Sequence, residues 1–121
     1  MVFDISKVGG IGEYFAEELT VGEGVDAEKV TVYRVKTVEL EDKVDSVDYV
    51  DEGPRAFLVV RKNTLEVRCD TKLSRLLREK YESVMESRYF GRGGIEIVNA
   101  GQLKEDEIND LVRLSYRLSQ E

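Results

Sequence analysis

The sequence predicts a single α+β domain in which an antiparallel sheet of about five strands packs against helices. Two neighbouring patterns lead to this class. Residues 65–69 alternate apolar and polar side chains, the period of a half-buried strand, and Asp70 follows where a carboxylate caps a helix. From Thr71 to Ser87, apolar residues then recur along one face of a helix: Leu73, Leu76, Leu77, Tyr81, Val84 and Met85.

Length and composition set the limits of the fold. The 121 residues are 41% hydrophobic and 36% charged. A chain of this size buries about two-thirds of its unfolded surface, so residues 1–121 are expected to form one domain with a core of its own. The longest apolar run, Ala56 to Val60, is too short to cross a bilayer, and Met1 to Lys7 lack signal-peptide features. With a single cysteine, these features predict a cytoplasmic protein without a membrane partner.

The first half of the chain is predicted to contain one short helix and then strands. Ile11, Phe15 and Leu19 lie along one side of a helix over residues 11–19. β-forming residues between Val30 and Leu40 then predict one or two strands. The acidic run 39–52 follows, and its favoured role is a solvated edge, with a hard-cation site as the alternative: Asp42, Asp45, Asp48 and Asp51.

The second half carries the clearer signals. Residues 55–62 predict a strand that forms a hairpin with residues 65–69 through Asn63-Thr64. A strand at residues 95–98 and a closing helix over 105–118 complete the order α-β-β-β-β-α-β-α. The buried face of the closing helix is predicted from its spacing: Ile108, Leu111, Val112, Ser115 and Leu118.

Residues 65–79 (LEVRCDTKLSRLLRE) and the closing helix resemble the MmcQ/YjbR-like family. The resemblance covers residues 55–118 and implies a fold similar to the type III secretion chaperones, a curved antiparallel sheet with helices against it. The first half is closer in character to uncharacterised archaeal domains. The family is often described as DNA-binding, which would make nucleic acid a partner of this chain.

The charge distribution opposes that expectation. The net charge is −7, and residues 1–53 carry 5 basic against 14 acidic residues, a net of −9. Residues 54–121 carry 13 against 11, a net of +2. Because an acidic protein repels phosphate backbones, nucleic-acid binding is disfavoured, although a local basic face could still hold an anion.

Few residues suggest catalysis. The chain has no histidine, so the commonest general base and zinc ligand is missing, and we expect no metal site and no cofactor. Cys69 precedes a helix N-terminus, where a thiol can be activated. Its alternative role is a small apolar residue on the buried face of a strand, and this is the favoured interpretation.

Two groups of residues are candidates for binding. Arg88, Arg92, Gly93 and Gly94 suggest an anion or phosphate site at a glycine-rich loop, against the alternative of a helix end and a turn. A partner surface is suggested by five residues: Arg68, Arg75, Arg78, Tyr89 and Phe90.

The favoured function is therefore an interaction or adaptor domain without catalytic activity, binding a protein partner or a second copy of itself. Nucleic-acid binding is the first alternative, and it predicts that Arg68, Arg75, Arg78, Arg88 and Arg92 share one face. Anion binding at residues 91–94 is the second alternative, and an enzyme whose reaction the sequence does not name is the third.

Overall fold

The computed structural model describes residues 3–36, 55–99 and 101–120. Six strands of the described chain form one antiparallel sheet in the spatial order β1-β2-β3-β4-β6-β5. Their bounds are β1 (Tyr14–Val21), β2 (Glu28–Val35), β3 (Ala56–Val60), β4 (Thr64–Arg68), β5 (Val84–Ser87) and β6 (Gly91–Val98). The helices are α1 (Thr71–Lys80) and α2 (Glu105–Ser119), and 3₁₀ turns lie at Ile5–Lys7 and Gly24–Asp26. The predicted α+β class is confirmed, with six described strands in place of about five.

Both helices pack on the same face of the sheet, here called the helix-covered face. Leu73 and Leu77 of α1 and Val112 of α2 contact one apolar core. The strands contribute to that core through Leu65, Val67, Ile95 and Ile97. The opposite face, called the helix-free face, carries the other side chains of the same strands, among them Val32, Val59, Glu66 and Glu96.

Ser115 fastens α2 to the middle of the sheet. Its hydroxyl donates to the carbonyl of Phe57 at 2.5 Å and accepts from the backbone N–H of Arg68 at 2.7 Å. Ser119 donates in the same way to the carbonyl of Ala56 at 3.1 Å. Buried hydroxyls on a helix are stable when they are bonded, and here they satisfy backbone groups where the β3–β4 ladder stops.

The predicted helix over residues 11–19 is wrong, because residues 14–19 belong to β1. Its residues pair one by one with β2, from Tyr14 opposite Val35 to Val21 opposite Glu28. Phe15 and Leu19 are four residues apart, a spacing that places them on one side of a strand as well as of a helix. The ladder with β2 decides between the two periods, and the sequence alone does not contain it.

The predicted helix over residues 71–87 is correct at its start and too long at its end. The Asp70 carboxylate accepts from the N–H of Lys72 at 2.9 Å, as an N-cap does. The backbone leaves the helix at Tyr81, and Val84 then pairs with Ile97 as the first residue of β5. Leu76, expected on the buried face, is 62% exposed. The observed order is therefore β-β-β-β-α-β-β-α for the described residues.

The remaining elements follow the predictions closely. β3 and β4 form the expected hairpin, closed by the N–H of Arg61 donating to the carbonyl of Thr64 at 2.8 Å, so the two connecting residues are Lys62 and Asn63 and not Asn63-Thr64. α2 begins at the predicted residue and ends one residue later than predicted, and Ile108, Val112 and Ser115 are buried. The predicted acidic edge at residues 39–52 lies outside the described residues.

Candidate functional site

The centre of the helix-free face holds a buried carboxylate. Glu66 of β4 has no exposed surface, and its side chain accepts three hydrogen bonds. The donors are Nε of Arg61 at 2.6 Å, Oγ of Ser87 at 2.6 Å and the backbone N–H of Tyr89 at 2.8 Å. Arg61 is also buried and reaches Glu28 at 3.0 Å. Because a buried charge is tolerated only when it is paired and hydrogen-bonded, this network fixes the geometry around it.

A second ion pair lies beside the first. Arg88 donates through Nε and Nη2 to the two carboxylate oxygens of Glu96, at 2.9 and 2.6 Å. The Thr64 hydroxyl donates to the same carboxylate at 2.8 Å. Burial raises the pKa of Glu96, but the hydrogen bonds from Arg88 and Thr64, together with the charges of Arg88 and Arg61, hold that pKa below its ordinary value. Arg88, a predicted anion ligand, is thus engaged by a carboxylate of its own chain.

Residues 88–90 connect β5 to β6 and are called the 88–90 arm. The arm folds over the helix-free face, where Phe90 packs against Val32 and Val59. The N–H of Phe90 donates to Oγ of Ser87 at 2.8 Å. Gly94 lies beneath the arm, and a Cβ at that position would approach Cβ of Phe90 to 2.6 Å. The absence of a side chain at residue 94 therefore allows the arm to seat.

The glycine-rich segment proposed for anion binding is the start of a strand. The carbonyl of Gly93 accepts from the N–H of Cys69 at 2.8 Å, and the N–H of Gly93 donates to the carbonyl of Phe90 at 3.3 Å. Gly94 pairs with Arg68 in the β4–β6 ladder. Of the four residues 91–94, Gly91 alone has a positive φ, 62°. Anion binding through Arg88, Arg92, Gly93 and Gly94 stays a prediction.

The predicted partner residues fall into two groups on opposite faces. Tyr89, Phe90 and Arg68 lie together on the helix-free face, where the Arg68 guanidinium stands 4.9 Å from the centroid of the Phe90 ring. Tyr89 is 40% exposed and meets Phe90 edge-on, with ring centroids 5.0 Å apart. Arg75 and Arg78 project from α1 on the helix-covered side. The single basic face expected for nucleic-acid binding is therefore divided, and that function stays a prediction.

Cys69 lies in the apolar core of the helix-covered face. It is 3% exposed, and its backbone N–H is bonded to Gly93. Burial, together with the neighbouring charge of Asp70, raises the pKa of its thiol from 9.0 to about 11. A thiol in such a site is protonated at neutral pH and is a poor nucleophile.

β1 exposes a row of apolar side chains that the sequence interpretation missed. Phe15, Leu19 and Val21 lie on the helix-free face, opposite Arg34, Val30 and Glu28 of β2. They are 46%, 36% and 47% exposed, and they are called the β1 apolar row. The sequence does not reveal this row, because Phe15 and Leu19 also fit one side of a helix over residues 11–19.

A cavity of about 400 Å³ opens beside the start of α2. Its walls are mainly apolar, from Phe3, Leu65, Leu103 and Ile108. Asn99 also lines it, and its buried Oδ1 atom has no hydrogen-bond partner among the described residues. The first turn of α2 is acidic, which opposes an anion at this helix end.

The described residues contain no cluster of three or more His, Cys, Asp or Glu placed to hold a metal ion. Within the same ranges, no helix combines the length and apolar character needed to cross a bilayer. Comparisons of the chain with protein-family models, curated proteins and solved structures found no match. The arrangement of side chains is therefore the basis for the functional proposals that follow.

Proposed function

We propose that this chain is a protein-interaction domain that associates through strand addition at β1. The observation that carries the proposal is the β1 apolar row, which lies on a strand at the edge of the sheet. An edge strand presents backbone donors and acceptors to any extended segment that approaches it. The exposed side chains of Phe15, Leu19 and Val21 would add apolar contacts to those hydrogen bonds.

β1 carries little protection against strand addition. Within the described part of the chain it is paired on one side only, with β2. It is eight residues long, longer than β3, β4 or β5, and its charged residues are Glu17 and Glu18. Protected edges are usually short, or carry lysine, proline or a bulge, and no register shift is present along the β1–β2 ladder.

The occupant proposed for β1 is the same strand of a second copy. An antiparallel pair with Leu19 on the two-fold axis would place Glu18 opposite Thr20 of the copy, and Glu17 opposite Val21. Centring the pair on Glu18 would instead oppose two like charges, which is destabilising. The Leu19 register thus brings the two Leu19 side chains together without a carboxylate facing a carboxylate.

No catalytic step belongs to this proposal. The thiol of Cys69 is buried and its pKa is raised, and the acidic side chains Glu66 and Glu96 are engaged by arginines. These contacts favour a structural role for each group.

The test compares two leucines of the chain in the same assay. Leu19→Lys places a charge in the middle of β1, whereas Leu76→Lys places it on an exposed position of α1. We expect the wild type and Leu76→Lys to dimerise in sedimentation equilibrium. Leu19→Lys should dissociate about tenfold more readily, because losing the apolar pair and opposing two like charges each cost up to about 1 kcal/mol. Amide hydrogen exchange should show protection of β1 that increases with protein concentration.

Two results would oppose the proposal. One is a wild type that stays monomeric at millimolar concentration, and the other is an equal effect of both lysine variants. Salt gives a further readout, because two copies of net charge −7 repel each other. Raising the ionic strength from about 0.01 to 0.15 M shortens the Debye length from about 30 to 8 Å, so dimerisation should strengthen.

A further inference from the structure

The guanidinium of Arg68 has only some of its hydrogen-bond donors engaged within the protein. Its Nε donates to the carbonyl of Ala56 at 2.6 Å, and its Cζ atom lies 4.9 Å from the centroid of the Phe90 ring. Among the described residues, its two terminal Nη groups donate no hydrogen bond. The backbone N–H of Arg68 is bonded to Ser115, so the residue is fixed at both ends. A fixed guanidinium with unused terminal donors is suited to bind an oxyanion.

Two more arginines lie near this guanidinium. Arg34 is opposite Ala56 in the β2–β3 ladder, and its Nη2 atom is 3.5 Å from the Tyr89 hydroxyl. Arg55 immediately precedes Ala56, and its carbonyl accepts from the N–H of Val35 at 2.9 Å. Arg34 also lies 3.7 Å from Glu17, which neutralises part of its charge. Three arginines and one hydroxyl thus lie around the start of β3, and Arg34 and Arg55 have further contacts of their own.

The electrostatics of Arg68 agree with this crowding. Burial lowers the pKa of its guanidinium, and the positive charges of Arg55 and Arg34 lower it further. The group remains charged at neutral pH, because an arginine pKa lies far above that range.

We propose that Arg68 and the hydroxyl of Tyr89, beside the positive charge of Arg34, form a binding site for the phosphate group of a small ligand. The unused Nη groups of Arg68 would donate to two phosphate oxygens, and the Tyr89 hydroxyl would donate to a third. A phosphate dianion suits the site better than a carboxylate, since it offers more acceptors and a second charge. This site shares no residue with the segment 91–94, and it does not depend on association through β1.

Two sources could supply the phosphate group, free inorganic phosphate and a phosphate monoester. Titrations of the full chain with inorganic phosphate, phosphoserine and adenosine monophosphate separate them, followed by the ¹⁵Nε–Hε NMR signals of the arginines at low ionic strength. We expect saturable shifts at Arg68 and Arg34. Tighter binding of either ester assigns the site to a phosphorylated small molecule, and equal binding of all three assigns it to the phosphate group alone.

Matched variants test the residues. Arg68→Gln should weaken phosphate binding about tenfold, the value of one charge-assisted contact. Arg75→Gln removes the same charge from α1 and should leave binding unchanged. Tyr89→Phe removes one donor from an exposed ring and should weaken binding about twofold to fivefold, since a neutral hydrogen bond is worth about 0.5–1.5 kcal/mol. If Arg68→Gln does not fold, Tyr89→Phe still tests the site.

Three outcomes would overturn the site. Shifts of Arg68 that rise linearly without saturation would show only general ionic contact. Equal losses in Arg68→Gln and Arg75→Gln would assign binding to net charge. If thermal denaturation shows that both Arg68→Gln and Tyr89→Phe are folded, and both still bind phosphate with the affinity of the wild type, the ligand binds elsewhere.

Discussion

The two faces of the sheet are built on different physical principles. On the helix-covered face, Val67, Ile95 and Ile97 are buried against α1 and α2, and apolar contact is the main stabilising term. On the helix-free face, Glu66 and Glu96 occupy the same strands and are almost as deeply buried, yet each is surrounded by hydrogen-bond donors. One face tolerates changes of side-chain shape poorly, and the other tolerates changes of charge poorly.

This difference indicates where binding is to be expected. The helix-covered face uses its side chains to close the core, and little of it remains for a ligand. The helix-free face leaves some groups available for contacts. These are the Nη atoms of Arg68, the exposed part of the Tyr89 ring and the β1 apolar row. Both functional proposals therefore fall on this one face.

The largest expected effect tests the buried charge of the helix-free face. Glu66→Ala leaves Arg61 buried without its closest partner, together with the donors of Ser87 and Tyr89. Removing one partner of a buried ion pair costs about 3–5 kcal/mol, and we expect that loss in the free energy of unfolding measured by urea denaturation. Glu86→Ala, an exposed position on β5, is the control and should cost less than about 0.5 kcal/mol. A small loss for Glu66→Ala would mean that the network is not a main support of this face.

The helix-covered face should respond to volume. Ile97 is fully buried between the strands and the helices, so Ile97→Ala creates a cavity. We expect a loss of about 3 kcal/mol in the free energy of unfolding, and about 1 kcal/mol for Ile97→Val. Similar losses for both variants would show that this side of the core is loosely packed.

Acid should weaken the helix-free face through Glu96. The pKa of Glu96 is lower in the folded chain than its ordinary value of 4.5. Its stabilising contribution is therefore complete above pH 4.5 and is lost as the pH falls through the lowered pKa. Arg88→Gln removes the main partner, so the stability difference between wild type and this variant should shrink from pH 7 to pH 3. A difference that stays constant over this range would mean that Arg88 does not set the pKa.

The smallest effect is expected at Cys69. With a thiol pKa of about 11, only about one molecule in a thousand carries a thiolate at pH 8, and the sulfur is buried. Native protein should therefore resist alkylation by iodoacetamide over hours, whereas protein in denaturant should react within minutes. Rapid labelling of the native protein, detected by mass spectrometry, would reopen a catalytic role for this residue.

The elements predicted correctly are those whose sequence pattern is compatible with only one type of secondary structure. The alternation at residues 65–69, the cap at Asp70 and the long amphipathic period of α2 admit no competing structure, and all three are present. The prediction failed where a spacing fits two periods. Phe15 and Leu19 share one side of a strand and of a helix, and Val84 continues the stripe of α1 although it belongs to β5. Pairing with a distant strand decides such cases, and local sequence does not record it.

The candidate sites show the same limit. The sequence interpretation grouped Tyr89, Phe90 and Arg68 with Arg75 and Arg78. The structure keeps the first three together and places the two arginines of α1 on the other side of the sheet. Arg34 was not expected there, because its position depends on the β2–β3 register and its bulge. The partners of Glu66 were also not foreseeable, since an isolated glutamate in an alternating strand reads as a solvated residue.

Gly94 offers a way to recognise relatives of this chain. A methyl group at residue 94 would collide with Cβ of Phe90 and with the carbonyl of Val67, both at 2.6 Å, and neither atom belongs to the flexible end of a side chain. Distant homologues in which the 88–90 arm packs on the helix-free face should therefore keep an aromatic residue followed four positions later by glycine, even where the rest of the sequence has diverged. In chains with a larger residue in place of Gly94, the 88–90 arm could not pack in this way. The aromatic ring beside Arg68 would then be lost as well.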